Sequence, residues 1–141
     1  RIIAEHKAKQ AYGLLKKPVL VEDVSMTMHE LGRLPGTYVK WFLKELTLVQ
    51  MCGLVHTDRT ATASICFCLY DGAETVFFDG SVQGKIAVSP RGEGGFGFNP
   101  IFIPEGSNRT WAEMDDAEIE KLGLRMSTVY PKLREYFRAS I

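Results

Sequence analysis

Much that would direct a 141-residue chain toward a particular partner is missing from this one. Seventeen Lys and Arg balance seventeen Asp and Glu, so no net field draws the molecule to nucleic acid or to an anionic membrane, and any phosphate must be held locally. No apolar run approaches the ~20 residues of a membrane span, and no charged-then-apolar leader opens the chain. The three cysteines, Cys52, Cys66 and Cys68, are odd in number and lack the C-x-x-C or Cys/His spacing of a zinc site. They read as core thiols of a reducing compartment, which makes the expected protein soluble and cytoplasmic. His6, His29 and His56 are scattered without a nucleophile partner, which disfavours a Ser/His or Cys/His triad. Internal repeats, low-complexity stretches and linkers are absent too. The first residue is Arg1 rather than Met and falls directly inside a helical pattern with no cap, so a segment is expected upstream.

What is present suffices for one folded unit over residues 1–141, with 45% of the residues hydrophobic. Ile3, Ala4, Ala8, Ala11 and Leu15 recur at helical spacing, with Lys7 at the stripe's edge and Pro18 as a stop. Val19-Leu20-Val21 reads as a buried strand that ends in Glu22-Asp23. Tyr38 to Leu48 reads as a helix with Val39, Phe42, Leu43 and Leu46 inward. Thr60–Tyr70 and Thr75–Phe78 form a hairpin about Asp71-Gly72, extended by Val82–Val88. Asp115–Leu122 and Ser127–Ala139 close the chain as helices, with Pro131 tolerable only in a first turn.

Two segments could carry chemistry. Ligands in α/β sheets gather at the carboxyl ends of strands, and hard cations prefer carboxylate oxygens, so Glu22 and Asp23 are candidate metal ligands. Neighbours on a strand point to opposite faces, so one would reach a cleft while the other pairs with a cation, unless both merely open a turn. The stretch from Pro90 to Pro100, which includes Phe96, Gly97, Phe98 and Asn99, combines close backbone approach with aromatic rings that could stack on a base; it could equally be an irregular turn. No Gly-Lys-Ser/Thr follows, so it is not a Walker loop. Lys7 could reach a phosphate or simply snorkel along apolar neighbours. Arg125 could fork to a phosphate or carbonyl, or form a surface ion pair. Trp41 and Trp111 read as core or dimer-contact residues.

The string Val19-Leu20-Val21-Glu22-Asp23, followed by Leu31 to Leu43 (LGRLPGTYVKWFL), resembles the inosine triphosphate pyrophosphatase family, the non-canonical purine NTP pyrophosphatases. Gly84-Lys85-Ile86, Pro90-Arg91-Gly92, Phe96-Gly97-Phe98-Asn99-Pro100 and Thr110-Trp111-Ala112-Glu113-Met114 recur in that family's order, so the likeness runs from about Ile3 to Phe137. The resemblance implies an α/β fold with a long mixed sheet flanked by helices, two lobes and a central cleft, usually in a homodimer. It also implies attack of water between the α and β phosphates of a purine nucleoside triphosphate such as ITP, dITP or XTP, with Mg²⁺ as cofactor.

Carried over by position, Asp23 would bind Mg²⁺ or help activate water, and Lys7 would contact the triphosphate. Phe96 would stack on the purine beside Gly97, Phe98 and Asn99, and Arg125 would read the base. Departures accompany the matches. The family's first strand, its T-G-N-x-x-K phosphate loop and an acidic metal ligand have no counterpart, which would leave a sheet edge in need of cover. Val24 stands for a hydroxyl residue, Asn99 for Asp and Leu124 for His, and Ile119 falls where a helix lysine is expected, with Lys121 as its nearest substitute. A non-catalytic relative that binds a nucleotide or a partner chain is therefore the second expectation.

Overall fold

A computed structural model describes residues 1–94 and 96–139. Helix α1, Ile2–Leu15, keeps two alanines against the sheet, Ala4 and Ala8, both fully buried. Their small side chains let the helix lie close over Val19, Cys66 and Cys68. It ends at Lys16, whose left-handed φ of 55° turns the chain into strand β1, Val19–Met28.

Strand β1 pairs along its whole length with β3, Thr60–Tyr70, from Val19 opposite Tyr70 to Met28 opposite Ala61. β3 in turn pairs with β4, Thr75–Ile86. The hairpin turn forms where Asp71-Gly72 predicts it, because the Asp71 carboxylate accepts from the N–H groups of Ala73 and Glu74 at 2.9 and 2.8 Å. β4 runs on without a break through Gly80, where a Cβ would meet the Thr128 side chain at 2.0 Å. The glycine thus keeps the strand and admits the later helical turn against it. Short strands β2, Pro35–Gly36, and β5, Phe102–Pro104, complete the order β2-β1-β3-β4-β5.

The α/β class stands, whereas the mixed sheet does not: every pairing among the described residues is antiparallel. Parallel neighbours need a crossover connection, and β3 and β4 are joined by a tight hairpin instead. β2 covers β1 only at Met26 and Thr27, so from Val19 to Ser25 no described strand lies on that side. Alternation along β1 sends Val21 and Asp23 toward the α1 face and Val24, Met26 and Met28 into the larger core.

The helix expected from Tyr38 to Leu48 is two: α2, Val39–Glu45, and α3, Leu48–Cys52. Thr47 is the reason, since its hydroxyl accepts from Gln50 N–H and the Gln50 side chain accepts from Thr47 N–H, a capping box that starts a new helix. A second box, Asp115 with Glu118, opens α4, Asp116–Leu122. A π-type turn, Arg125–Val129, then leads into α5, Tyr130–Ala139, with Pro131 in its first turn as the sequence requires. No helix among the described residues is long and apolar enough to cross a membrane.

Candidate active site

The open side of β1 forms one wall of a cleft of about 850 Å³, within the range of small-molecule sites. α1 contributes Ile3 and Lys7, β1 contributes Glu22, Asp23 and Val24, and α2 with the residues before it contributes Thr37 to Trp41 and Leu43. Phe96 to Asn99 close one side, and Ile119 with Gly123 to Met126 close the other. The strand expected to stop at Glu22-Asp23 instead runs on to Met28, paired throughout with β3, so both carboxylates stand mid-strand. Asp23 and the aromatic glycine loop nevertheless line the same groove.

Glu22 and Asp23 divide the work between them. The Arg125 guanidinium forks onto Glu22, with Nε donating to one carboxylate oxygen at 2.9 Å and Nη2 to the other at 2.6 Å. That pairing, first through the hydrogen bonds to Glu22, raises the Arg125 pKa further above its ordinary value. Both oxygens of Glu22, a candidate metal ligand, are engaged by the fork, which fixes Arg125.

Asp23 has no such partner. Its nearest cation is the Lys7 ammonium at 3.9 Å, and Lys7 makes its short contact elsewhere, donating to the Glu22 carbonyl at 2.7 Å. The lysine thus caps an open-edge carbonyl and keeps positive charge beside Asp23. Mg²⁺ commonly takes one or two carboxylates plus substrate phosphates rather than an all-protein cage. The donor set agrees with that mode: Asp23 is available, and no group of three His, Cys, Asp or Glu that could enclose a metal exists among the described residues.

The glycine loop splits its two aromatics. Phe98 is buried, 6.2 Å from Phe102 and 6.3 Å from Trp111 between ring centres, and Phe102 stacks on Trp111 at 4.5 Å. Phe96 is 73% exposed, and the Arg125 guanidinium carbon sits 5.8 Å from its ring centre. Gly97 between them has φ +63°, a conformation that costs a side chain little only in glycine and sends the two rings different ways. Asn99 begins a 3₁₀ turn, with its backbone N–H donating to the Phe96 carbonyl at 3.2 Å.

Two expectations move. Lys121 is exposed and takes no part in the cleft, because two residues along α4 from the cleft-lining Ile119 is about 200° round the helix. Of the two alternatives for Trp41, core falls: it is 54% exposed and lines the cleft rim between Lys40 and Lys44, whose ammonium groups stand 5.1 and 4.8 Å from its ring centre. Thr37, Tyr38 and Tyr130 also line the cleft; Thr37 and Tyr38 lie within the Leu31–Leu43 motif without having been singled out, and Tyr130 had no sequence signal. The cysteines are core thiols as expected: burial, then a hydrogen bond with Asp79, pushes Cys66 up to about 11, so none of its reactive thiolate is present near neutrality.

Known proteins resemble this chain in sequence and in fold. The chain is 40% identical over 127 residues to "Inosine triphosphate pyrophosphatase 1" of Trypanosoma cruzi, covering 87% of this chain and 65% of that one. It is 39% identical over 126 residues to the "dITP/XTP pyrophosphatase" of Hyperthermus butylicus, covering 87% and 66%. The chain thus spans just under two thirds of the length of these curated relatives. A solved HAM1 protein of Coxiella burnetii superposes with a TM-score of 0.84 at 25% identity, covering 96% of this chain and 75% of that one. The Ham1 family model matches residues 1–134, and the chain belongs to that family.

Proposed function

We propose that this protein hydrolyses non-canonical purine nucleoside triphosphates, ITP, dITP and XTP, to the monophosphate and pyrophosphate. The observation that carries the reading is one cleft holding both an unforked carboxylate, Asp23, and an exposed ring, Phe96. The names of the two relatives point to the same substrates.

In this reading the purine stacks on Phe96, while the triphosphate runs along the open side of β1 toward Asp23 and Lys7. Lys7 neutralises phosphate charge without leaving the Glu22 carbonyl far behind. Asp23 accepts a proton from the attacking water as its oxygen bonds to the α phosphorus; the bond from that phosphorus to the bridging oxygen breaks, and pyrophosphate leaves. Asp23, together with the substrate phosphates, would hold Mg²⁺, which would supply charge neutralisation at the phosphoryl oxygens. Arg125, fixed by Glu22, keeps Nη1 for the substrate. The same reading has the protein work in the cytoplasm as a homodimer, with the exposed Tyr38 and Trp41 near α2 as its contact.

A second reading, a non-catalytic nucleotide-binding relative, is favoured by the apolar Ile119 and Leu124 in the cleft wall. Pyrophosphate release from ITP and XTP with Mg²⁺ separates the two. The expected result is turnover by the wild type and a loss of at least ~10²-fold in Asp23→Asn. Nucleotide binding without release by a folded wild type leaves only the second reading, and equal turnover in both proteins means the carboxylate has been misassigned.

A further inference from the structure

We infer that a second cavity, which shares Asp23 with the cleft, binds the two outer phosphates of the substrate and hence the pyrophosphate that leaves. The inference rests on the nucleotide reading above and names the side chains that would take its leaving group. This cavity, of about 560 Å³, is lined by Ser25, Ser64, Ser81, Asp79, Lys132 and Arg1, and Asp23 and Thr37 line it as well as the cleft. Ser25 pairs with Ser64 and Ser64 with Ser81, so three hydroxyls stand in one row across β1, β3 and β4, neighbours about 5 Å apart. They lie on the sheet face that α1 covers further along, where Cys66, Cys68 and Phe77 pack with Ala4 and Ala8. None of the three hydroxyls bonds to another described residue. These serines and Lys132 belong to none of the sequence motifs.

The charges around the row favour an anion. Asp79 is neutralised by Arg1, whose Nε donates to its carboxylate at 2.7 Å. Lys132 donates to the Asp79 carbonyl and has no carboxylate partner among the described residues, so its charge remains for a ligand. Asp23, at the boundary of the two cavities, has the Lys7 ammonium at 3.9 Å. No group of three His, Cys, Asp or Glu that could hold a cation by itself exists among the described residues, so the cavity is not a metal cage. A row of hydroxyl donors beside a free ammonium suits a diphosphate, whose oxygens accept from all of them in charge-assisted hydrogen bonds. With the α phosphorus at Asp23, the β and γ phosphates beyond it enter the second cavity. Cleavage then leaves pyrophosphate there and the monophosphate in the cleft.

The test measures dissociation constants by calorimetry, with Mg²⁺ present, for pyrophosphate, IMP and α,β-methylene ITP. The proteins are the wild type, Ser64→Ala, Ser64→Thr and Lys132→Met, with circular dichroism to verify folding. Ser64→Ala and Lys132→Met should each weaken pyrophosphate and the triphosphate analogue by about tenfold, the size of one lost hydrogen bond to a charged group, and leave IMP unchanged. Ser64→Thr keeps the hydroxyl and should bind all three ligands like the wild type. Folded Ser64→Ala and Lys132→Met proteins that bind pyrophosphate as tightly as the wild type overturn the inference, while their binding of the analogue leaves the nucleotide reading in place. So does a wild type that binds the analogue but not pyrophosphate. An equal loss for IMP and pyrophosphate overturns it too, since the substitutions would then act on the whole cleft. If the wild type binds neither IMP nor the analogue, the nucleotide reading falls and takes this inference with it.

Discussion

Phe96 and Phe98 stand two residues apart, and Arg59 and Arg125 carry the same guanidinium, yet in each pair one member is packed into the protein and the other is left open toward the cleft. The packed members have fixed partners. Phe98 lies in an aromatic cluster with Phe102 and Trp111, and Arg59 donates to four backbone carbonyls, those of Cys52, Val55, Ile86 and Ala87. In the cleft, Phe96 is exposed, Arg125 is held on one edge only, and Asp23 and Asn99 have little or no protein contact. The difference teaches where to look for function: groups that folding has already satisfied hold the structure, and groups it leaves unsatisfied at a concave surface await a ligand.

The widest separation should come from the two phenylalanines. Phe98→Ala removes a ring from a packed cluster and should cost about 3–5 kcal/mol, as large-to-small core changes do. Phe96→Ala should leave stability within about 0.5 kcal/mol, because the ring is mostly in water. The same substitution should weaken nucleotide binding by roughly tenfold, given ~1–3 kcal/mol for stacking a base on an aromatic ring. Urea unfolding and nucleotide titration of both variants measure this. Comparable stability losses would erase the contrast between the regions.

The arginines should differ less, but in the same sense. Arg59→Ala leaves four carbonyls short of a donor in a half-buried junction between the α3 end and the β4 end, and a loss of about 3 kcal/mol is expected from ~1–3 kcal/mol for each group that water cannot reach. Lysine would not restore it, since a point charge cannot match a planar fork addressed to several carbonyls. Arg125→Ala breaks a partly exposed pair and should cost no more than about 1 kcal/mol, while weakening nucleotide affinity. If Arg125→Ala proved the more destabilising by urea unfolding, its ion pair with Glu22 would be a support of the fold rather than a part of the site.

These contrasts also mark what could be read from the sequence. The period of α1, the Asp71-Gly72 hairpin and Pro131 in a first turn all depend on contacts between near neighbours, and each forms where the spacing puts it. The Val-Leu-Val strand starts at Val19 as expected but runs on through Glu22 and Asp23 to Met28, because pairing with the distant β3 carries it past the carboxylates. The break at Thr47 was missed because the apolar spacing runs straight through it, although Thr followed three residues later by Gln is a legible capping signal. Glu22 shows the deeper limit. Nothing near it in sequence announces Arg125, 103 residues away, so its role as that arginine's anchor depends on how the last helices return across the sheet. The same return leaves Lys121 outside the cleft and Ile119 inside, a matter of helix phase that composition does not carry. Phe96 and Asp23 were legible because each belongs to a recognisable motif; Tyr130 belongs to none and reaches the cleft only through folding.

Glu30 sharpens the comparison with Asp23 at the level of a single carboxylate. It sits in the short 3₁₀ turn that follows β1, and its two oxygens accept from the N–H groups of His56, Thr57 and Asp58 at 2.6, 2.7 and 3.1 Å. Those three donors, His56 first, hold its pKa below the ordinary 4.5. A group whose pKa is lowered by folding contributes its full stabilisation above the ordinary value and loses it as the pH falls through the lowered one. Glu30→Gln keeps one acceptor and places an amide nitrogen against a donor, so it should unfold at a lower temperature than the wild type at neutral pH. The gap should close as the pH falls through the lowered value, where the wild-type carboxyl itself takes up a proton. Asp58, also lowered, by the hydroxyl and N–H of Thr60, remains in both proteins and should leave some acid sensitivity in the variant. Melting temperatures of the two proteins that ran parallel from neutral pH to well below the ordinary carboxylate value would mean that the loop is not held by the charge on Glu30.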